Sequence, residues 1–424
     1  MRKSLADYVR GAFSSMKVEL RDSTQGKSLA KGLGKVPLSV WTLGFVSMLM
    51  DISSEMIHAL LPLYLVTVLG TSTLTVGIIE GVAEATASIT KIFSGALSDW
   101  RGKRKLLAAF GYGLAAFTKP IFPLAPTVGW LVLARFVDRI GKGIRGAPRD
   151  ALIADLTPSD ARGASFGLRQ ALDTVGAFAG PLLAIGLMWL TLDSFSAVFW
   201  VAIIPAFLSL LLILFAVRDP QRPVSPRVVI MPISRGGLGR LPWAYWFVVT
   251  VATVLTLARF SEAFLILKAQ NVGVAVTLVP FVLVLMNVVY ALAAYPAGSL
   301  SDRRDRTTIL GIGLLLLIGA DAVLVWTESV LGIALGVALW GLHMAFTQGV
   351  LSAFVADTAP EELRGTAYGV FNLATGVAML FASVIAGASW DAVGPRGTFA
   401  AGLCFGVLAL VGLRMIPKRL ARPG

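Results

Sequence analysis

Twelve apolar runs, each bounded by charge, Pro or Gly, order the chain: 38–69, 73–98, 105–125, 128–152, 163–190, 195–217, 242–267, 274–300, 307–327, 329–354, 365–390 and 397–416. Each is long enough for the ~20 apolar residues that carry a helix across a ~30 Å hydrocarbon layer. Most connections are very short, as in an array of helical hairpins. The longest, 218–241, holds Arg218, Arg222, Arg227, Arg235 and Arg240 among several Pro and Gly. It leaves six helices on each side. The pattern predicts an all-α membrane protein with twelve transmembrane helices. An N-terminal six-helix bundle fills 38–217, a basic linker 218–241, a C-terminal six-helix bundle 242–416, and a tail 417–424. Residues 1–37 are polar and basic, with no apolar core beside a cleavage site and hence no signal peptide. Leu5, Tyr8, Val9, Ala12, Phe13 and Met16 recur at helical spacing. They fit a basic amphipathic helix on the membrane surface, or equally a frayed tail.

Composition agrees with this pattern. Of 424 residues, 56% are apolar and 14% charged, with mean hydropathy +0.78. Soluble domains run to roughly 45–50% apolar and 25% charged. The formal charge of +13 would point to nucleic acid in a soluble protein. Position gives it another meaning. The side holding the termini and the linker carries 27 Lys and Arg, and the opposite loops carry two, Lys268 and Arg396. That asymmetry places both termini in the cytoplasm of a multi-pass cell-membrane protein. The excess charge is topological, and no nucleic-acid partner is implied. The lone Cys404 in an apolar run excludes a disulfide framework and a thiol metal site. His58 and His343, far apart in sequence, make a zinc hydrolase improbable. No GxxxxGK[ST] loop and no nucleophile constellation occur, so the chain is expected to be no enzyme, to use no cofactor and to draw no energy from its own ATP site.

The halves resemble each other at an offset of about 202 residues. "ADLTPSDARGASFG" from Ala154 matches "ADTAPEELRGTAYG" from Ala356, and "GALSD" from Gly95 matches "GSLSD" from Gly298. Asp155, Arg162 and Gly167 thus correspond to Asp357, Arg364 and Gly369, and Asp99 to Asp302. Duplication makes the two bundles pseudo-symmetric, with a path between them.

With these features the chain resembles the major facilitator superfamily (MFS) of secondary transporters, from about residue 38 to 416. "GALSDWRGKRKLL" (95–107) is similar to the family's loop between helices 2 and 3, with Trp100 where a base is usual. "RFVDRIGKG" from Arg135 is similar to the helix 4 motif linked to proton coupling, although Asp138 and Arg139 depart from it. "GLRQALDTVGAFAGP" (167–181) has Gly176, Gly180 and Pro181 at the spacing of the antiporter motif in helix 5. The resemblance implies that Gly95, Asp99 and Arg104, with Asp155 and Arg162 and the second-half positions Asp302, Asp357 and Arg364, gate the bundles. Gly176, Gly180 and Pro181 would do so by bending or tight contact in helix 5.

Charges inside the spans are costly and are functional candidates by default. The bases are Lys91, Lys119, Arg135, Arg139, Lys142, Arg145, Arg169 and Arg259; the acids are Asp51, Glu55, Glu80, Glu84, Asp138, Asp173, Glu262 and Asp321. Eight against eight is neutral, and thirteen of the sixteen lie in the first half. Asp51, Glu55 and His58 share a face of helix 1; Glu80, Glu84 and Lys91 share one of helix 2; Arg169 and Asp173 can pair at i, i+4. The helix 4 strip Arg135, Asp138, Arg139, Lys142, Arg145 and Arg149 should face a wet cavity or acids on neighbouring helices. Asp51 or Glu55 is expected to carry the transported proton, with Arg135 or Arg139 as its partner through the cycle. His58, Glu80, Glu84, Asp138, Lys142, Arg169, Asp173, Arg259, Glu262, His343 and Asn372 are expected around the substrate, with Asn287, Gln348 and Gln170 as further polar candidates. A fixed network of ion pairs that only holds the bundle is the alternative. Trp41, Tyr64, Trp189, Trp243 and Trp246 read as interfacial anchors. Trp340 and Phe346 face lipid by default or line an apolar pocket.

The expected function is secondary transport of a small organic solute by alternating access, driven by protons as an antiport that exports. The alternative is proton-coupled uptake or exchange of an organic anion, such as a carboxylate or iron chelate. A lipid flippase ranks below both. The partners implied are the solute, protons and the bilayer, for a protein acting as a monomer.

Overall fold

The computed structural model describes residues 36–101, 103–158, 161–217, 238–303, 305–360 and 363–414. Within them the chain is helical. The first half contains α1 (Leu38–His58), α2 (Thr73–Arg101), α3 (Arg104–Thr118), α4 (Val128–Leu156), α5 (Arg162–Leu190) and α6 (Phe195–Phe215). The second contains α7a (Trp243–Ala258), α7b (Ala263–Asn271), α8 (Phe281–Arg303), α9 (Arg306–Trp326), α10 (Val330–Thr358), α11 (Arg364–Val393) and α12 (Pro395–Arg414). Ten segments are long and apolar enough to cross a membrane. Helices α2 and α4 are not among them, because they carry much of the intramembrane charge.

The expected spans are present, but three are interrupted and several ends move. After His58 the first span continues through the short turn Leu61–Leu63, with Pro62 in its first turn, and the π-helical Tyr64–Val68. The third stops at Thr118 before Pro120, which cannot supply an N–H to continue it. The seventh breaks over Arg259–Glu262, where Arg259 leaves helical geometry. Helices α2, α4 and α10 run three or four residues beyond their expected ends, through the charges that bound them. Charged side chains at a helix end reach the interface along their own stems and need not stop the helix.

In the first bundle α1 packs on α5 and α6, α2 on α4, and α3 on α4 and α6. In the second, α9 packs on α10 and α12, α8 on α10, and α7a on α11 and α12. The bundles meet along two seams, α2 with α11 and α5 with α8. The duplication is visible in atomic detail. Arg104 Nη1 pairs with Asp155 Oδ2 at 2.5 Å, and Arg306 Nη1 with Asp357 Oδ2 at 2.6 Å, each pair joining a third helix to a fourth. Large apolar side chains on the outside, such as Phe117, Leu292 and Tyr295, are more than half exposed, which suits a bilayer and not water.

The core is unevenly divided. At the end of the molecule remote from the linker, one apolar cluster runs through both bundles, from Leu60, Leu65 and Phe199 to Phe264, Leu324 and Trp340. At the linker end there are two separate clusters. One, around Leu43, Tyr112 and Ile213, belongs to the first bundle; the other, around Tyr245, Leu314 and Phe354, belongs to the second. The bundles are therefore sealed together at the remote end and independently packed at the linker end.

Candidate functional site

The interior charges of the first bundle form two stacked layers. In the layer nearer the remote end, Arg135 Nη2 holds Glu80 Oε2 at 2.8 Å, with both side chains 2% exposed. His58 bridges α1 and α2: Nδ1 lies 3.4 Å from Glu55 Oε2, and Nε2 lies 3.5 Å from Glu80 Oε2. One turn along, Arg139 Nη1 holds Glu84 Oε1 at 3.2 Å. On the back of α4, Asp138 takes Lys119 Nζ at 2.9 Å, which also donates to Ser54 Oγ at 3.1 Å. In the layer nearer the linker end, Arg145 stands 3.7 Å from Asp51 and over the Tyr112 ring. There Arg149 donates to Ser47 and to Asp150, and Arg169 pairs with Asp173 at 2.6 Å.

Helix spacing located these faces, but not their partners. The expected pairing of Arg135 or Arg139 with Asp51 or Glu55 is replaced by pairing with the α2 acids Glu80 and Glu84. Spacing gives a direction around each helix and is silent about which neighbour stands there. In the structure α4 presses on α2, with Gly143 so close that a Cβ would lie 2.5 Å from Thr90 Cβ. A Cβ on Gly95 would lie 3.5 Å from Ala147 Cβ, an ordinary contact, so this position would accept a methyl.

Gly176 and Gly180 have a different role from bending. They are the surface against which α1 is seated. A Cβ on Gly176 would lie 2.9 Å from Asp51 Cβ, and one on Gly180 would lie 2.6 Å from Glu55 Cβ. Helix α5 continues through Pro181. The helix 5 motif thus fixes the two acids of α1 from behind.

Between the bundles lies a cavity of about 160 Å³, lined by Glu55, His58, Glu80, Glu84, Arg139 and Lys142 from one side and Arg259, Phe260, Ser261, Glu262 and Met379 from the other. A second chamber of about 300 Å³ adjoins it and shares Glu84, Arg259 and Met379. Its remaining walls mix Ser88, Thr256, Thr347, Gln348, Ser352 and Thr375 with Leu255, Leu351 and Phe371. The break in the seventh span delivers Arg259 and Glu262 here, 3.8 Å apart. Gln348, with its amide oxygen turned inward, accepts from both Arg259 Nη atoms at 2.9 and 3.0 Å. Neither Pro nor Gly marks this break, so the sequence carried no signal for it.

Several expected cavity residues lie elsewhere. His343 is fully buried in the second bundle, with Nδ1 3.0 Å from Gly313 O, and lines neither chamber. Trp340 is buried against Phe260 and does not face lipid. Asn372 and Asp138 line neither chamber, and Asp173 and Arg169 close on each other in the layer nearer the linker end. Asn287 sits on the α5–α8 seam, donating to Ala177 O at 3.4 Å. Arg162 and Arg364 begin α5 and α11 as exposed residues. The side chains of Asp99 and Asp302, and the 1–35, 218–237 and 415–424 segments, lie outside the described residues. Lys119, Ser47 and Ser54 join the network without having been singled out as site residues; Lys119 was visible only as an intramembrane charge.

Paired helical bundles, sealed at one end around a charged chamber, define a polytopic membrane carrier. The family model of the Major Facilitator Superfamily matches residues 43–267 and 247–423, and the chain belongs to that superfamily of transporters. It is 33% identical over 379 residues to an MFS-type transporter of Methanocaldococcus jannaschii, covering 88% of this chain and 92% of the relative. It is 30% identical over 308 residues to the class C tetracycline resistance protein of Escherichia coli, covering 70% and 76%. Among solved structures it shares the fold of a bacterial homologue of the human lysosomal transporter Spinster in its inward-facing, unoccupied conformation. That match has TM-score 0.68 and 18% identity, and covers 91% of this chain and 95% of the other.

Proposed function

We propose that the protein exports a small amphipathic organic solute in exchange for protons, by alternating access, with its linker end in the cytoplasm. The observation that carries this is the shared chamber, in which partnered carboxylates of the first bundle face Arg259 and Glu262 of the second. Glu55 and Glu84 are its coupling acids. Both line the chamber, and each is held by a base that has a second role, His58 toward Glu80 and Arg139 toward Asp138. A proton arriving on either acid removes a negative charge and loosens that base. Solute binding can then be linked to the state of the pair. The adjoining chamber, with hydroxyls beside Leu255, Leu351 and Phe371, suits a molecule with a polar edge and an apolar body. Export is supported by the similarity to the tetracycline resistance protein and by the helix 5 motif that seats Asp51 and Glu55. The orientation rests on the 27 bases against two.

Uptake of an organic anion is the second possibility. Lys142 is exposed in the chamber, and among the described residues no carboxylate lies within ion-pair distance of it. Vesicles containing the protein separate the two. A solute panel that begins with tetracycline is tested under imposed proton gradients. Accumulation driven by an acidic interior supports antiport. Uptake driven by protons flowing inward with the solute supports symport. Glu55→Gln with Glu84→Gln should abolish gradient-driven transport while leaving solute exchange, and full gradient-driven transport in that double variant contradicts the coupling assignment.

A further inference from the structure

The remote end is closed by hydrogen bonds as well as by apolar packing. A helix leaves the N–H groups of its first turn without helical acceptors. In α2 these groups are satisfied from two sources. Ser72 Oγ accepts from Thr75 N at 3.2 Å within the chain's own first turn. Asp391, on α11 of the other bundle, supplies the rest. Its Oδ1 accepts from Thr73 N at 3.1 Å and from Thr73 Oγ1 at 2.5 Å, and its Oδ2 accepts from Leu74 N at 3.0 Å. A carboxylate at a helix N-terminus also meets the positive end of the helix dipole. The approach depends on a bare backbone. A Cβ on Gly387 would lie 2.5 Å from Thr73 O and 2.7 Å from Leu74 Cα.

The second seam carries a side-chain contact in the corresponding place. Asp193, just past α5, accepts a hydrogen bond from Thr277 Oγ1, in the 3-10 turn Val276–Leu278 that leads into α8. Leu192 and Asp193 both have positive φ, 53° and 63°, a conformation non-glycine residues seldom adopt, and it turns this Asp toward the other bundle. Each latch joins an Asp at the end of the fifth helix of one bundle to a Thr at the start of the second helix of the other. The two contacts sit at corresponding ends of the two halves without being matched residue for residue in the repeat, and both cross between bundles. At the linker end, by contrast, Arg104–Asp155 and Arg306–Asp357 each stay within one bundle.

We propose that Asp391–Thr73 and Asp193–Thr277 are twin latches that hold the remote gate shut, and that opening to that side requires both to be released. The proposal rests on the alternating-access reading, but its test needs no solute. In the full chain with Cys404→Ser, two reporters are made separately. Val76→Cys lies in the sealed seam, fully buried, and Ser352→Cys lies on the exposed wall of the chamber. Labelling by a membrane-impermeant maleimide is followed in purified protein. Asp391→Ala is expected to speed labelling at the Val76 reporter about fivefold, the effect of losing a helix cap of about 1 kcal/mol, and Asp193→Ala, which loses one side-chain hydrogen bond, to speed it by less. The double variant should do more, and labelling at the Ser352 reporter should slow. Asp391→Asn, which keeps Oδ1, should restore part of the closed behaviour. Thr73→Val should act in the same direction as Asp391→Ala. Unchanged rates at both reporters overturn the proposal. So does acceleration at both together, since that is loosening and not a shift between states. If these shifts occur in a protein that moves no solute under any gradient, the latches stand and the transport assignment fails.

Discussion

The two bundles share an ancestry and a fold, yet they treat buried charge in opposite ways. In the first bundle almost every interior charge has a partner within 4 Å, so that Arg135, Glu80, Lys119 and Asp138 are nearly inaccessible and still compensated. In the second, Arg259 and Glu262 are partly open to the chamber and only loosely paired, while Asp321 is fully buried with neither oxygen hydrogen-bonded. Duplication therefore fixed the frame, including the matched Arg104–Asp155 and Arg306–Asp357 clips, and left the interior chemistry free to diverge. The first bundle is a preassembled electrostatic network, and the second presents a wall with two adjustable charges.

The comparison predicts different costs for removing charge. Glu80→Gln should be the most damaging, because it strands the buried Arg135 without its carboxylate. A loss of about 3–5 kcal/mol is expected for one partner of a buried pair, read as a large fall in the thermal unfolding midpoint in detergent. Gly180→Ala comes next. The added methyl meets Glu55 Cβ and the Ile52 carbonyl at 2.6 and 2.8 Å, and overpacking of this kind costs about 1–3 kcal/mol. Gly95→Ala is its control and should leave the midpoint unchanged. Arg259→Gln should cost at most about 1 kcal/mol, since both members of its pair are partly exposed. Transport should nevertheless be lost. Asp321→Asn should be neutral or slightly stabilising, because no partner is stranded by the change. A large destabilisation there would show that the second bundle hides a pairing like those of the first.

The fold was legible in the sequence because its determinants are local. Run length gave the spans, and the repeat from Ala154 and Ala356 gave the symmetry. The candidate site was legible only by face. Asp51, Glu55 and His58 do share one side of α1, and Glu80 and Glu84 one side of α2. The joining of Glu80 to Arg135 and to His58 depends on which helices touch, which no spacing within one helix encodes. The seventh-span break had no Pro or Gly to announce it, although it places Arg259 and Glu262. Nothing local in the sequence marks Asp391, because its partner is more than 300 residues away. Of the two roles expected for the helix 5 motif, bending and tight contact, the structure shows the tight contact. Its glycines seat α1, a role visible only once α1 and α5 are in contact.

The central claim is that Glu55 and Glu84 couple protons to the conformation of the chamber. Labelling of the Ser352→Cys reporter in mildly acidic and mildly basic buffer tests it most directly, without knowledge of the solute. The parent protein should label at different rates in the two buffers, and the Glu55→Gln/Glu84→Gln variant at one rate in both. An undiminished difference in that variant would contradict the account.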